Sequence, residues 1–340
     1  MREFISLVER DQHLTVEQMR RASEKLFNQD TSQEEIKQFL LELKRKGETA
    51  DEITGLVSVV REIAGRYDTS AQHIMDNCGT GGDGSQSFNI STCAAFVIAG
   101  AGIPVAKHGN RSISSKTGSA DVLEHLGVRL DLTKEDTKTL LEEQQITFLF
   151  APFVHAGIKN VMKARKELGV PTIFNLIGPL TNPVELDTQL IGIYRRDMLH
   201  TMAEAMKQSG RRRGVVLNGA GHLDEASLAG RNYLTLLEDG KITSFTLHPE
   251  EIGMEVVPNE KIKGGDAKDN AEILLSVLNG EESSFKETVV LNAGIAIFAS
   301  GKASSVIEGI KLARKSIDSK EALKKLKALV EYSRQKETVR

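Results

Sequence analysis

The chain has no tryptophan, only two cysteines (Cys78 and Cys93) and seven prolines in 340 residues. Two thiols can build neither a disulfide framework nor a four-cysteine metal site. No apolar run approaches the roughly 20 residues that a membrane-spanning helix needs. The most apolar stretch, 96–106, is broken by Gly100, Gly102 and Pro104. Met1-Arg2-Glu3-Phe4 passes straight into an amphipathic pattern, without the ordered segments of a secretory signal. A formal net charge of -3 gives no global pull toward nucleic acid or an anionic membrane. With 40% hydrophobic and 27% charged residues, the chain reads as globular, cytoplasmic and large enough for a sizeable core.

What is present falls into two textures. The first 65 residues read as short helices. Ser32 with Glu35 and Thr49 with Glu52 have capping-box spacing, and Gly47 and Gly65 stand where helix-ending glycines belong. Ile36, Phe39, Leu40 and Leu43 share one face, as do Ile53, Leu56, Val57, Val60 and Ile63. From about Ile74, short apolar runs alternate with helical stretches. Strands are expected at 74–76, 104–106, 147–150, 190–194 and 214–217, and helices at 90–99, 120–126, 156–168, 198–209 and 303–316. The expected fold is α/β: a helical domain over 1–68 and a larger domain over 69–340 with a mostly parallel sheet flanked by helices.

A second absence marks the densest chemical signal. From Gly84 to Ala120 there is no Asp or Glu, while Lys107, Arg111 and Lys116 are cationic. Gly79-Thr80-Gly81-Gly82-Asp83-Gly84 follows the first expected strand, and Asn89-Ile90-Ser91-Thr92 opens the next helix. Glycines there let backbone amides approach phosphate oxygens, and a helix N-terminus favours anions. Alone, the glycines are equally a tight turn, and the Ser, Thr and Asn equally helix caps. Lys107-His108-Gly109-Asn110-Arg111-Ser112 and Ser114-Ser115-Lys116-Thr117-Gly118-Ser119 extend a Ser- and Gly-rich cationic loop that suits a ligand with several phosphates.

Taken in order, these segments resemble the successive signatures of the anthranilate phosphoribosyltransferases, with Gly118-Ser119-Ala120-Asp121, the run from Phe174 to Pro183 and Leu291-Asn292-Ala293-Gly294. The resemblance covers nearly the whole chain. It implies that 5-phosphoribosyl 1-pyrophosphate (PRPP) is held by Gly79, Gly82, Asp83, Ser87, Asn89, Ile90, Ser91, Thr92, Lys107, His108, Gly109, Asn110, Arg111, Ser112, Ile113, Ser114, Ser115 and Ser119. Anthranilate would meet Gly79, Asn110, His155 and Arg165. Ser91 and the adjacent Asp224 and Glu225 would hold Mg²⁺, in two ions. The pair alone reads as solvated surface, and Arg165 alone as an exposed helix charge.

The resemblance further implies a homodimer, a helical segment near 156–185 joined to the first domain, no acid–base residue in catalysis, and neither nucleic acid nor membrane as a partner. The chain departs from the family pattern in two places: His155-Ala156-Gly157 stands for His-Pro-Ala, and Leu168-Gly169-Val170-Pro171 for Leu-Gly-Arg-Thr. Both touch the acceptor side. Two other readings remain open on the residues: a pyrimidine nucleoside phosphorylase, which has no use for the Asp224-Glu225 pair, and a non-catalytic nucleic-acid-binding relative, which would need a wide basic groove.

Overall fold

β1 (Met75–Gly79) runs between β2 (Val105–Gly109) and β4 (Thr188–Gly192), with β3 (Ile146–Phe150) beyond β2 and β5 (Arg213–Asn218) beyond β4. These five are parallel. β6 (Asn232–Glu238) and β7 (Lys241–Leu247) extend the sheet antiparallel. The structure, a computed structural model, describes residues 1–111 and 116–338. Every residue of β2, β4 and β5 is buried, which a parallel sheet covered on both faces requires.

Four helices open the chain: α1 (Arg2–Glu9), α2 (Val16–Phe27), α3 (Gln33–Lys46) and α4 (Ala50–Ala64). Thr49 and Glu52 close a full capping box. Ser32 makes only half of one, accepting from the Glu35 amide. Then come α5 (Ile90–Gly100), α6 (Ser119–His125), α7 (Lys134–Thr139), α8 (Ala151–Val154), α9 (Lys159–Leu168), α10 (Phe174–Ile177) and α11 (Leu199–Gln208). The chain closes through α12 (Ala267–Leu278), α13 (Ser284–Ala299), α14 (Val306–Asp318) and α15 (Glu321–Thr338).

Side chains alternate across the sheet, and the two faces have different cores. Leu190 and Val215 pack with α5, α13 and α15 on one side. Ile191 and Val216 face the other, against Met202 and Met206 of α11, Leu56 and Val60 of α4, and Val161 and Ala164 of α9. The opening helices thus share one core with 161–206 and the sheet. Gln33 Nε2 donates to Asn160 Oδ1 at 2.6 Å and Lys37 pairs with Glu167 at 3.2 Å, joining α3 to α9.

The expected α/β class and the five strands are present, each shifted by a few residues. Two strands were not expected. β6 and β7 are a hairpin turned by Asp239 and Gly240, both at positive φ (46° and 82°), as a two-residue primed turn requires. α12 and α13 were likewise not expected. α13 is buried nearly all round, so it lacks the polar face that marks a helix in sequence.

The topology places the site. From β1 the chain builds β2 and β3 to one side, then returns to lay β4 onward on the other. The carboxyl ends of β1 and β4 therefore flank a switch point, where open α/β sheets bind ligands.

Candidate functional site

β1 ends at Gly79 and β4 at Gly192, paired across the switch point. The Asp224 main chain lies over both: a side chain at Gly192 would overlap the Asp224 carbonyl, and one at Gly79 its carboxylate. A side chain at Gly219 would overlap the Glu225 carbonyl. Glycine at these positions lets the acidic loop sit down on the strand ends. Beyond Gly79, Gly81 and Gly82 turn the chain at φ 68° and 81°, a conformation costly for other residues. The Gly81 amide donates to Asp224 Oδ2 at 2.6 Å, and the Asp224 amide donates to Asp83 Oδ2 at 3.4 Å.

Glu225 points to the start of α5, where the Ser91 amide donates to Oε1 at 3.1 Å. Asn89, the residue before α5, makes no side-chain cap. Its side chain bridges instead to the Thr117 carbonyl and Asn270. The buried Lys107 ammonium donates to the Asn77 carbonyl at 2.7 Å and Ser91 Oγ at 3.3 Å, not to either acid. Asp83, Asp224 and Glu225 thus gather with no ion-pair partner among the described residues. Burial pushes the Asp224 carboxyl well above the ordinary range, with repulsion from Asp83 and Glu225 adding to it. Burial raises Glu225 too, against the pull of Lys107 and the Ser91 hydrogen bonds.

These groups are hard oxygen donors beside a hydroxyl, a set suited to Mg²⁺. Among the described residues no three acidic, histidine or cysteine side chains close on one point. Magnesium tolerates this, since it usually keeps waters and takes substrate phosphate oxygens.

The remaining residues implied for the donor divide by position. Ser87 accepts from Ser85 Oγ at 3.3 Å beside Asp83. Ile90 and Thr92 are buried in α5. Gly109 has no room for a side chain against Ser119 Oγ and the Phe148 ring. Ser119 Oγ joins the Asn110 amide and carbonyl, both at 3.1 Å. Arg111 is not available as a free cation. Asp121 and Glu124, just past the acid-free stretch, pair with it at 2.6 and 2.9 Å. Ser112, Ile113, Ser114 and Ser115 lie outside the described residues.

His108 turns away from the glycine loop toward the helical side. Its Nδ1 lies 3.2 Å from the Gly178 carbonyl, which can only accept, so Nδ1 carries the proton. His108 Nε2 must then accept from His155 Nε2 at 3.2 Å, leaving buried His155 Nδ1 as a bare acceptor among the described residues. Burial lowers His108 to about 3, with repulsion from His155 adding to it, and burial lowers His155 to about 4. α10 links this pair to Arg165. Gly178 follows α10, and Asn175 within it accepts from Arg165 Nη2 at 3.3 Å. The guanidinium stacks 5.2 Å from the Phe174 ring and pairs with no carboxylate among the described residues. Burial lowers it to about 10.

Sequence reasoning assigned no role to Asp76, Asn77 or Asn182. Asp76 accepts from the His108 amide at 3.2 Å and Asn182 Nδ2 at 3.1 Å, bracing the floor of the site. Its position inside β1 gives no local mark of this.

Two family models match: the glycosyl transferase family helical bundle domain over residues 2–64, and its a/b domain over 71–323. The anthranilate phosphoribosyltransferase of Exiguobacterium sibiricum is 56% identical over 335 residues, 98% of this chain and 99% of that protein. Among solved structures, the Thermus thermophilus anthranilate phosphoribosyltransferase superposes with a TM-score of 0.92 at 38% identity, covering 97% of this chain and 99% of that one. The Saccharomyces cerevisiae enzyme in complex with PRPP and Mg has a TM-score of 0.84 at 28% identity, covering 94% and 92%. Its complex with 4-fluoroanthranilate has a TM-score of 0.83 at 27% identity, with the same coverage.

Proposed function

The chain belongs to the anthranilate phosphoribosyltransferase family, and on that premise we propose that it transfers the 5-phosphoribosyl group of PRPP to the amine of anthranilate, a step of tryptophan biosynthesis. The products are N-(5-phosphoribosyl)anthranilate and pyrophosphate. The observation that carries this reading is the gathering of Asp83, Asp224 and Glu225, without ion-pair partners among the described residues, at the switch point beside the Gly81 and Ser91 amides.

An aromatic amine is neutral near pH 7, so its lone pair attacks without a strong base. The barrier lies in separating pyrophosphate from a ribose ring that gains positive charge, and catalysis rests on electrostatics and positioning. The turn at Gly79, Gly82 and Asp83 and the start of α5 at Asn89, Ser91 and Thr92 would hold the donor, with Ser87, Lys107 and Ser119 around it. Magnesium, in two ions held through Asp224, Glu225 and the Ser91 hydroxyl, would supply neutralising charge to the pyrophosphate.

For the acceptor, Arg165 offers a partly desolvated guanidinium with no carboxylate partner among the described residues, suited to a bidentate grip on an aromatic acid. His155 Nδ1 offers a lone pair to the amine N–H. Asn110 and Gly79 complete the set by position.

The reading extends to assembly. Among the described residues, five of the seven exposed large apolar side chains, Leu41, Ile63, Phe153, Met162 and Val170, lie on α3, α4 and the segment 151–170. This favours a homodimer through the helical side, in which 156–185 belongs with the domain 1–68. Both cysteines are free, in keeping with a cytoplasmic enzyme.

Mixing the protein with anthranilate, PRPP and Mg²⁺ should extinguish anthranilate fluorescence, and only when donor and metal are both present. Arg165→Gln should raise KM for anthranilate about tenfold while leaving KM for PRPP in place. No loss of fluorescence, with PRPP binding confirmed, would transfer the reading to another amine acceptor.

A further inference from the structure

The acidic pair is pinned from behind by amides rather than by charges. Asn292, in the middle of α13, accepts the Ala226 amide on Oδ1 at 2.8 Å and donates from Nδ2 to the Ala226 carbonyl at 2.9 Å. The same Nδ2 donates to the Thr288 carbonyl one turn back at 2.9 Å, which fixes the side chain's rotation. Asn232, at the start of β6, repeats the arrangement one residue on: Oδ1 accepts the Ser227 amide at 2.7 Å and Nδ2 donates to the Ser227 carbonyl at 2.9 Å. All four partners are buried. Each amide pairs with one backbone residue as a neighbouring strand would, and the two clamps grip consecutive residues directly after Glu225.

We infer that Asn292, with Asn232 behind it, is a positioning residue that holds Asp224 and Glu225 in place for the magnesium-bound donor. The inference rests on the function proposed above. Three glycines seat the acids in front and two asparagines lock the chain behind, so the carboxylates cannot separate although they repel each other. The neutrality of the clamp is its point. A lysine or arginine there could donate to the backbone carbonyl but could not accept its amide. It would also set a positive charge near the carboxylates in place of the bound cation's. An amide sets the backbone and leaves that charge untouched. Lys107, whose charge acts on Glu225, donates to other oxygens.

The test is donor binding followed by calorimetry, with PRPP as the probe, at a series of Mg²⁺ concentrations. Asn292→Ser should raise the Mg²⁺ needed for half-saturation about tenfold, the scale of one buried hydrogen bond, and leave magnesium-free PRPP binding unchanged. Val289→Ala, in the same buried helix, should lower the melting temperature without moving the Mg²⁺ requirement. An unchanged requirement in Asn292→Ser would overturn the inference. Should that variant not fold, hydrogen exchange in the unliganded wild type decides: 219–231 should be protected like α13, and exchange at free-peptide rates would equally overturn it. A wild type that binds PRPP without regard to magnesium would instead remove the function on which the inference rests.

Discussion

His108 and His155 share one proton-bearing contact and are both buried, and their tautomers follow from a single carbonyl, that of Gly178. Their pKa values of about 3 and 4 have a consequence for stability with a definite sign. An unfolded histidine takes up a proton near pH 6.5, whereas these two do not until about pH 4 or below. Between those limits the unfolded state binds more protons, so the stability held by each neutral ring is complete above pH 6.5 and drains as pH falls. The loss is about 1.4 kcal/mol per pH unit for each ring. Asp76, raised to about 6 by burial, acts oppositely, since its folded form gains a proton first. The wild-type curve therefore mixes the two effects, and a difference isolates one of them. Urea melts of wild type and His155→Phe should give a stability difference that shifts in favour of the variant by about 3 kcal/mol between pH 7 and pH 4. A constant difference would mean that His155 is not held neutral.

The helical domain shows at the scale of elements how a local signal gains a distant partner. Thr49 with Glu52 is legible as a helix start from spacing alone. What spacing does not show is that the Glu52 carboxylate, fully buried, also accepts the Leu14 amide at 2.9 Å and pairs with Lys46 at 2.9 Å, tying the segment ahead of α2 and the end of α3 to α4. Removing one member of such a pair strands the other charge in the core. Glu52→Ala should therefore lower stability by about 3 kcal/mol in thermal or urea melts, against about 1 kcal/mol for Ser32→Ala at the half-capped start of α3. Legibility elsewhere follows the same rule. The glycine loop, the cationic loop and the acidic pair can be picked out because each is a contiguous run after a strand. Alone, though, the pair reads as solvated surface and the glycines equally as a tight turn, and only the ordered resemblance across the chain implies their roles. The hairpin of β6 and β7 carried a readable mark, the Asp239-Gly240 turn. α13 carried none, because a helix buried all round has no period. Nor did the hold of Asn292 on Ala226, which joins residues 66 apart.

The fold sets three acids around one switch point and gives them amides, glycines and a helix start, but among the described residues no ion-pair partner. Carboxylates gathered at a buried site without compensation cost stability in the unliganded protein wherever they ionise, because desolvation and their neighbours oppose the charge. The arrangement makes sense if a cation and its bound donor restore the balance, since a ligand that binds only the folded state stabilises it by mass action. Asp224→Asn/Glu225→Gln keeps the shapes and removes the repulsion. Near pH 7.5 the unliganded double variant should melt at or above the wild-type temperature. Adding PRPP and Mg²⁺ should then raise the wild-type melting temperature by several degrees, the scale of a ligand at about a hundred times its Kd, and leave the variant where it was. A double variant that melts well below the wild type without ligand would show that these carboxylates support the fold. The charge at the switch point would then be structural, not held ready for the donor.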